Sequence, residues 1–205
     1  MQTCDLCHPF GLSFNRPYAP HEFIEGHRNA RIWIVGLTPA GSDSSVDKRT
    51  NQDLSACFDD EGKVSSYFKK FKLVSAEVYS QLGKKDGVAH TDIVKCYSKN
   101  WPPKGVQRTE SDKIIENCTR FFRRQILEMK PQIIICNGRD VCNVVMKILP
   151  PPSDAPKSQT SYFSDSDFGR IGIVLSGYIG RIDNYARSRL GKEVEHLINT
   201  IKVTK

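Results

Sequence analysis

Four short apolar runs, at residues 31–35, 88–94, 132–136 and 171–175, limit what this chain can fold into. Each is nearly continuous in hydrophobic residues instead of alternating, which is the pattern of a strand buried on both faces. Strands covered on both sides need a layer of helix above and another below. The intervals between the runs are too long for hairpins and carry helical spacing. The expected fold is therefore α/β, a three-layer α/β/α sandwich with a central, mainly parallel four-stranded sheet.

Between the first two runs, residues 64–82 bring Tyr67, Phe68, Phe71, Val74 and Val78 onto one helical face, and Gly83 ends the pattern. A second helix opens at Thr109, with Asp112 three residues on. It continues through Ile114, Ile115, Cys118, Phe121, Phe122, Ile126 and Leu127 until Pro131 closes it. Residues 139–149 form a third helix, stopped by three prolines. Residues 185–201 form a fourth, with Leu190, Val194, Leu197 and Ile201 facing inward. Residues 150–170 are rich in Pro, Ser and Asp and read as a surface loop inside one domain spanning 1–205, because the last run is needed to complete the sheet.

An apolar content of 39% excludes wholesale disorder. No stretch approaches the roughly 20 apolar residues of a membrane span, and no apolar signal core opens the chain, so a cytoplasmic protein without membrane association is expected. The formal net charge of +7 suits a phosphate-binding surface. Seven cysteines, an odd number in a chain of this size, fit reduced thiols or metal ligands better than a disulfide framework. Cys4 and Cys7 have the spacing that grips one corner of a metal or cluster, so further ligands must come from distant segments. His8 is an alternative ligand or an ordinary neighbouring histidine, and Cys57, Cys136 and Cys142 read as buried packing.

Gly36-Leu-Thr-Pro-Ala-Gly-Ser-Asp43 leaves the carboxyl end of the first run, where doubly wound sheets bind ligands, although the loop alone serves equally well as a plain strand-to-helix turn. Its neighbours sharpen the reading. The succession Cys4-x-x-Cys7, Val35-Gly-Leu-Thr-Pro-Ala40, Asp92-Ile-Val-Lys-Cys96, Asn117-Cys-Thr-Arg-Phe-Phe122 and Lys130-Pro-Gln-Ile-Ile-Ile-Cys-Asn-Gly-Arg139 resembles the uracil-DNA glycosylase superfamily, particularly its iron–sulfur families 4 and 5, over most of the chain.

The resemblance implies that Cys4, Cys7, Cys96 and Cys118 hold one [4Fe–4S] cluster, with zinc as the rival. A group there ties the N-terminal segment, residues 1–30, to the loop after the second strand and directs Lys95, Lys99, Lys104 and Arg108 toward DNA. The resemblance also makes Gly36, Leu37, Thr38, Pro39 and Ala40 one wall of a base pocket, with Phe58 stacking on the extracted base. Glu61, or Asp60 with the loop displaced by one residue, corresponds to the acid that orients water; Asp59-Asp60-Glu61 reads equally well as a solvated acidic turn. Asp92 stands where family 4 has an Asn that reads the base edge. Ionised, it accepts from an exocyclic amine and favours a modified cytosine; protonated, it donates and keeps uracil as a substrate.

Two departures from the pattern matter. Leu37 replaces the carboxylate of family 4, and Ser176-Gly177-Tyr178 replaces His-Pro-Ser, so stabilisation of the leaving base falls to backbone N–H groups, Ser176, Tyr178 or Arg181. Arg181, Asn184, Arg187 and Arg189 make that loop basic and suited to phosphate contacts. The activity implied is that of a monomeric, monofunctional glycosylase of single- or double-stranded DNA, with water as its only cosubstrate, excising uracil or a modified pyrimidine. The alternatives are a non-catalytic iron–sulfur protein that recognises modified or damaged bases, and a redox-responsive regulator.

Overall fold

The computed structural model describes residues 2–39, 48–62 and 64–203. A small antiparallel hairpin of β1 (Gln2–Cys4) and β2 (Phe14–Arg16) precedes the main sheet. That sheet contains β3 (Ile32–Gly36), β4 (Val88–Asp92), β5 (Ile133–Asn137), β6 (Ser161–Ser166) and β7 (Gly169–Ser176) in the order β4-β3-β5-β7-β6. The four expected runs are its four parallel strands.

The fifth strand, β6, lies in the segment expected to be a surface loop and pairs antiparallel with β7 from Ser161↔Val174 to Ser166↔Gly169. Only Tyr162 and Ser164 of its six residues are buried, so an edge strand with one wet face carries too little apolar signal to stand out from a loop.

The helices are α1 (Asn51–Ser55), α2 (Ser66–Lys69), α3 (Ala76–Ser80), α4 (Arg108–Met129), α5 (Arg139–Ile148) and α6 (Asn184–Val203). The single helix expected over 64–82 is instead α2, a 3-10 turn at Lys70–Leu73, and α3. Ser75 restarts the helix by accepting a hydrogen bond from the Val78 amide at 3.3 Å. The apolar face survives the break. Phe68, Phe71, Val74 and Val78 pack with Ile34, Val88, Leu190, Val194 and Leu197 on one side of the sheet.

On the other side, Trp33, Val35, Ile134 and Cys136 meet Ile114, Phe122 and Ile126 of α4 and Val141 and Val145 of α5. Two cores separated by one sheet make the three layers. The Glu110 carboxylate caps α4 by accepting from the Gln107 amide at 2.8 Å, and left-handed Lys130 (φ 51) ends the helix before Pro131. No helix among the described residues is long and apolar enough to cross a membrane.

Candidate active site

Parallel strands β3 and β4 end side by side at Gly36 and Asp92, and the chain beyond each is tied to the other. The Ile93 amide donates to the Gly36 carbonyl at 3.0 Å, and the Val94 amide donates to the Leu37 carbonyl at 2.9 Å. These bonds fix the start of the Leu37-Thr38-Pro39 loop against β4. Over the two strand ends lies a cavity of about 730 Å³ lined by Gly36, Leu37, Thr38, Pro39, Phe58, His90, Asp92, Trp101, Asn137 and Tyr178, among others. Its position outside the carboxyl ends of a doubly wound sheet is where such folds take ligands.

Gly36 is required by this geometry. A Cβ there would lie 2.3 Å from Asp92 Oδ1 and 3.0 Å from His90 Nε2, so only hydrogen leaves those atoms open to the cavity. Asp92 is 1% exposed, and its Oδ2 has no hydrogen-bond partner among the described residues. Burial raises its carboxyl pKa to about 6, with Glu25 adding to the rise and His90 and Lys95 opposing it.

Beside Asp92, His90 Nε2 lies 3.8 Å from Oδ1, while His90 Nδ1 meets Glu25 Oε2 at 2.9 Å. Glu25 reaches this position through an isolated bridge to the outer edge of β4, the Glu25 and His90 amides each donating to the other's carbonyl at 2.7 and 2.8 Å. Arg49 Nη1 donates to Glu25 Oε1 at 3.2 Å. Burial disfavours the His90 cation, yet Asp92 and Glu25 outweigh it and raise the pKa; Glu25 is held low against its own burial by His90 and Arg49.

Aromatic rings close the remaining walls. Phe58 meets Phe68 edge-on at 4.8 Å, and Phe68 and Tyr67 stand edge-on to His90 at 5.1 and 5.6 Å. Tyr178 stacks on Tyr67 at 6.2 Å. Asn137, at the end of β5, donates to the Tyr67 hydroxyl at 2.6 Å and accepts from the Ile179 amide at 2.7 Å, which docks the loop after β7 onto the cavity. Burial and the Asp92 charge raise the Tyr67 pKa well above its usual value.

Cys4, Cys7, Cys96 and Cys118 line one small pocket with Asn117 and Lys95. The Cys7 thiol is pushed down to about 3 by hydrogen bonds from Cys118 and Cys96, whose own thiols are pushed up. Asn117 Nδ2 lies 3.7 Å from the Cys7 sulfur and 3.1 Å from the Leu6 carbonyl. Among the described residues no three His, Cys, Asp or Glu are set as ligands of a single metal ion. The donor set, thiols from three separate segments around one void, is nonetheless chemically suited to a thiolate-bound group.

Lys95 corrects an expectation. It does not face outward toward DNA but is 1% exposed, bonding Thr91 Oγ1 at 3.0 Å, Gln125 Oε1 at 2.5 Å and the Asp92 carbonyl. Phe23 and Phe122 face its ammonium, and burial lowers its pKa to about 7. It thus stands between the cysteine pocket and the cavity.

Of the residues singled out from sequence, Gly36, Leu37, Thr38, Pro39, Phe58, Asp92, Lys99 and Tyr178 come together at the cavity. Ala40 lies outside the described residues. Asp60 and Glu61 sit on an exposed turn beyond Phe58 and are absent from the cavity lining; Glu61 lies by the Tyr79 hydroxyl. Lys104 and Arg181 are exposed, and Arg108 is paired with Asp140 at 2.5 Å. Ser176 is buried, and its hydroxyl donates to the Gly177 carbonyl at 3.1 Å. Arg187 Nη2 donates to the Ile179 carbonyl at 3.2 Å, bracing the loop that carries Tyr178.

Glu25, Arg49, Tyr67 and Asn137 are cavity residues that the sequence did not point out. Asn137 carried a signal, the Asn-Gly-Arg that ends the third run, whereas Glu25 and Arg49 sit in segments with no periodicity.

The family model for the uracil DNA glycosylase superfamily matches residues 23–182, most of the chain. A type-5 uracil-DNA glycosylase from Pyrobaculum aerophilum is 29% identical over 143 residues, covering 66% of this chain and 55% of that protein. The chain therefore spans little more than half the length of that relative. From Phe23 at the edge of the first core to Ile182 beyond the cavity loop, the chain belongs to the uracil DNA glycosylase superfamily.

Proposed function

We propose that this protein is a monofunctional DNA glycosylase that flips one nucleotide into the cavity and releases uracil or a modified pyrimidine, leaving an abasic site. The observation that carries the proposal is the buried Asp92, one of whose oxygens has no hydrogen-bond partner among the described residues, in the lining of a cavity at the carboxyl ends of β3 and β4 in a chain of this superfamily. A polar atom buried without a partner is costly, and a base edge supplies what it lacks.

Scission of the glycosidic bond leaves positive charge on the sugar, while the bond's electron pair departs with the base. Water adds to the sugar carbon, and its proton passes to a carboxylate. Within the cavity Glu25 is taken by His90 and Arg49 and Asp92 meets the base edge, so Glu61 or Asp60, on the turn beyond Phe58, is the base that receives it. Phe58 supplies a face for the base, and Leu37, Thr38 and Pro39 hold out bulk water.

Cys4, Cys7, Cys96 and Cys118 are the residues to hold a [4Fe–4S] cluster, with zinc as the rival. When bound, the group supplies a structural tie and no step of the hydrolysis. DNA is the proposed partner, met by Lys99, Lys104 and Arg181 on the surface and by Tyr178, which is 46% exposed at the rim.

The test is incubation with single-stranded and duplex oligonucleotides bearing uracil, hypoxanthine, cytosine and substituted cytosines, followed by cleavage of abasic sites. Release of one class of base is expected, and release confined to uracil contradicts the modified-cytosine version. The exposed position of Glu61, outside the cavity lining, favours a second reading, a non-catalytic protein that recognises modified bases. That reading predicts binding without base release.

A further inference from the structure

The geometry points to His90 as the donor that meets the departing base, and to Glu25 as the residue that positions it, an inference that rests on the glycosylase reading. The end of β7 and the loop after it offer Ser176-Gly177-Tyr178, and no histidine, as donors to the leaving base. A histidine reaches the same cavity from β4 instead, with Nε2 beside the Asp92 carboxylate and no side chain at Gly36 to cover it.

Glu25 dictates which protons this ring carries. With Nδ1 held 2.9 Å from a carboxylate oxygen, Nδ1 must bear hydrogen, because two acceptors cannot share a hydrogen bond. A neutral ring then presents a bare Nε2 lone pair to the cavity, and only the doubly protonated ring presents an N–H there. Three arrangements favour that cation: Asp92 on the same strand, Glu25 bridged to its edge, and Arg49 holding Glu25 ionised. Lys95 opposes it across the strand, and Tyr67 and Phe68 present ring edges without a formal charge.

As the bond to the sugar breaks, its electron pair spreads onto the carbonyl oxygens of the base. The His90 Nε2–H then donates a hydrogen bond to one of those oxygens without transferring its proton, while Asp92 accepts an N–H of the base. A donor aimed at charge that appears only in the transition state acts on kcat more than on KM.

The experiment is the pH dependence of base release by native protein, Glu25→Gln and His90→Ala, on whichever oligonucleotide the native protein cleaves, together with the NMR titration of the His90 ring. Native activity is expected to fall as pH rises through the same pKa that NMR assigns to His90. Glu25→Gln removes one of the charges that stabilise the cation, so both the alkaline limb and the ring pKa move to lower pH by about one unit. His90→Ala lowers kcat on the order of a hundredfold, with a smaller change in KM.

An alkaline limb that does not track the ring titration, or kcat within twofold of native in His90→Ala, overturns the assignment while leaving the glycosylase reading intact. Native protein that binds DNA but frees no base overturns both. The native limb and titration decide the matter even if Glu25→Gln does not fold.

Discussion

At the scale of the residue, the site depends on one missing side chain and one buried carboxylate with an unpartnered oxygen. Gly36→Ala sets a methyl group against Asp92 Oδ1 and His90 Nε2, so base release should drop on the order of a hundredfold, as read by single-turnover rates, and calorimetry should show a loss of about 1–3 kcal/mol from overpacking. Asp92 carries the opposite trade. Its folded pKa of about 6 lies above the ordinary carboxylate value, so its stabilising contribution is present at acid pH and is lost as pH rises through about 6. Asp92→Asn should therefore be more stable than the native protein above that pH, by about 1–3 kcal/mol, and no more stable near pH 4; unfolding midpoints across pH check this. The Gly36 loop was legible in sequence because it follows an apolar run, and Asp92 because it opens the Asp-Ile-Val-Lys-Cys motif that carries the resemblance. The Glu25–His90 contact was not, since it joins residues 65 apart through an isolated bridge that leaves no periodic trace.

Among elements, apolar spacing located faces more reliably than it located helices. The face of residues 64–82 points into the core as its periodicity implied, yet the helix is interrupted because Ser75 offers its hydroxyl as a fresh cap. β6 escaped notice because its outward positions are polar. The hairpin of β1 and β2 is too short to carry a pattern, and its Cys4 and Cys7 meet Cys96 and Cys118 from beyond β4 and within α4. Cys118→Ser should therefore lose bound iron or zinc by elemental analysis and release the N-terminal segment to limited proteolysis, while far-ultraviolet circular dichroism of the main sheet persists. Undiminished metal content in that variant contradicts the assigned ligand set.

Over the whole molecule, the net charge of +7 serves the proposed DNA contact through cations near the cavity that have no acidic partner among the described residues. Arg108 is committed to Asp140, whereas Lys99 is exposed and lines the cavity. Lys99→Ala is expected to weaken DNA binding uniformly across sequences and to lower the slope of log affinity against log salt by about 1, measured by fluorescence anisotropy over a salt series; Arg108→Ala should change that slope less. The most direct test of the account is mass spectrometry of small molecules set free when anaerobically purified protein, in substoichiometric amount, meets a panel of genomic and phage DNAs. Multiple-turnover release of one free base, slowed on the order of a hundredfold in Gly36→Ala, is the predicted result, and DNA that is bound yet yields no free base contradicts it.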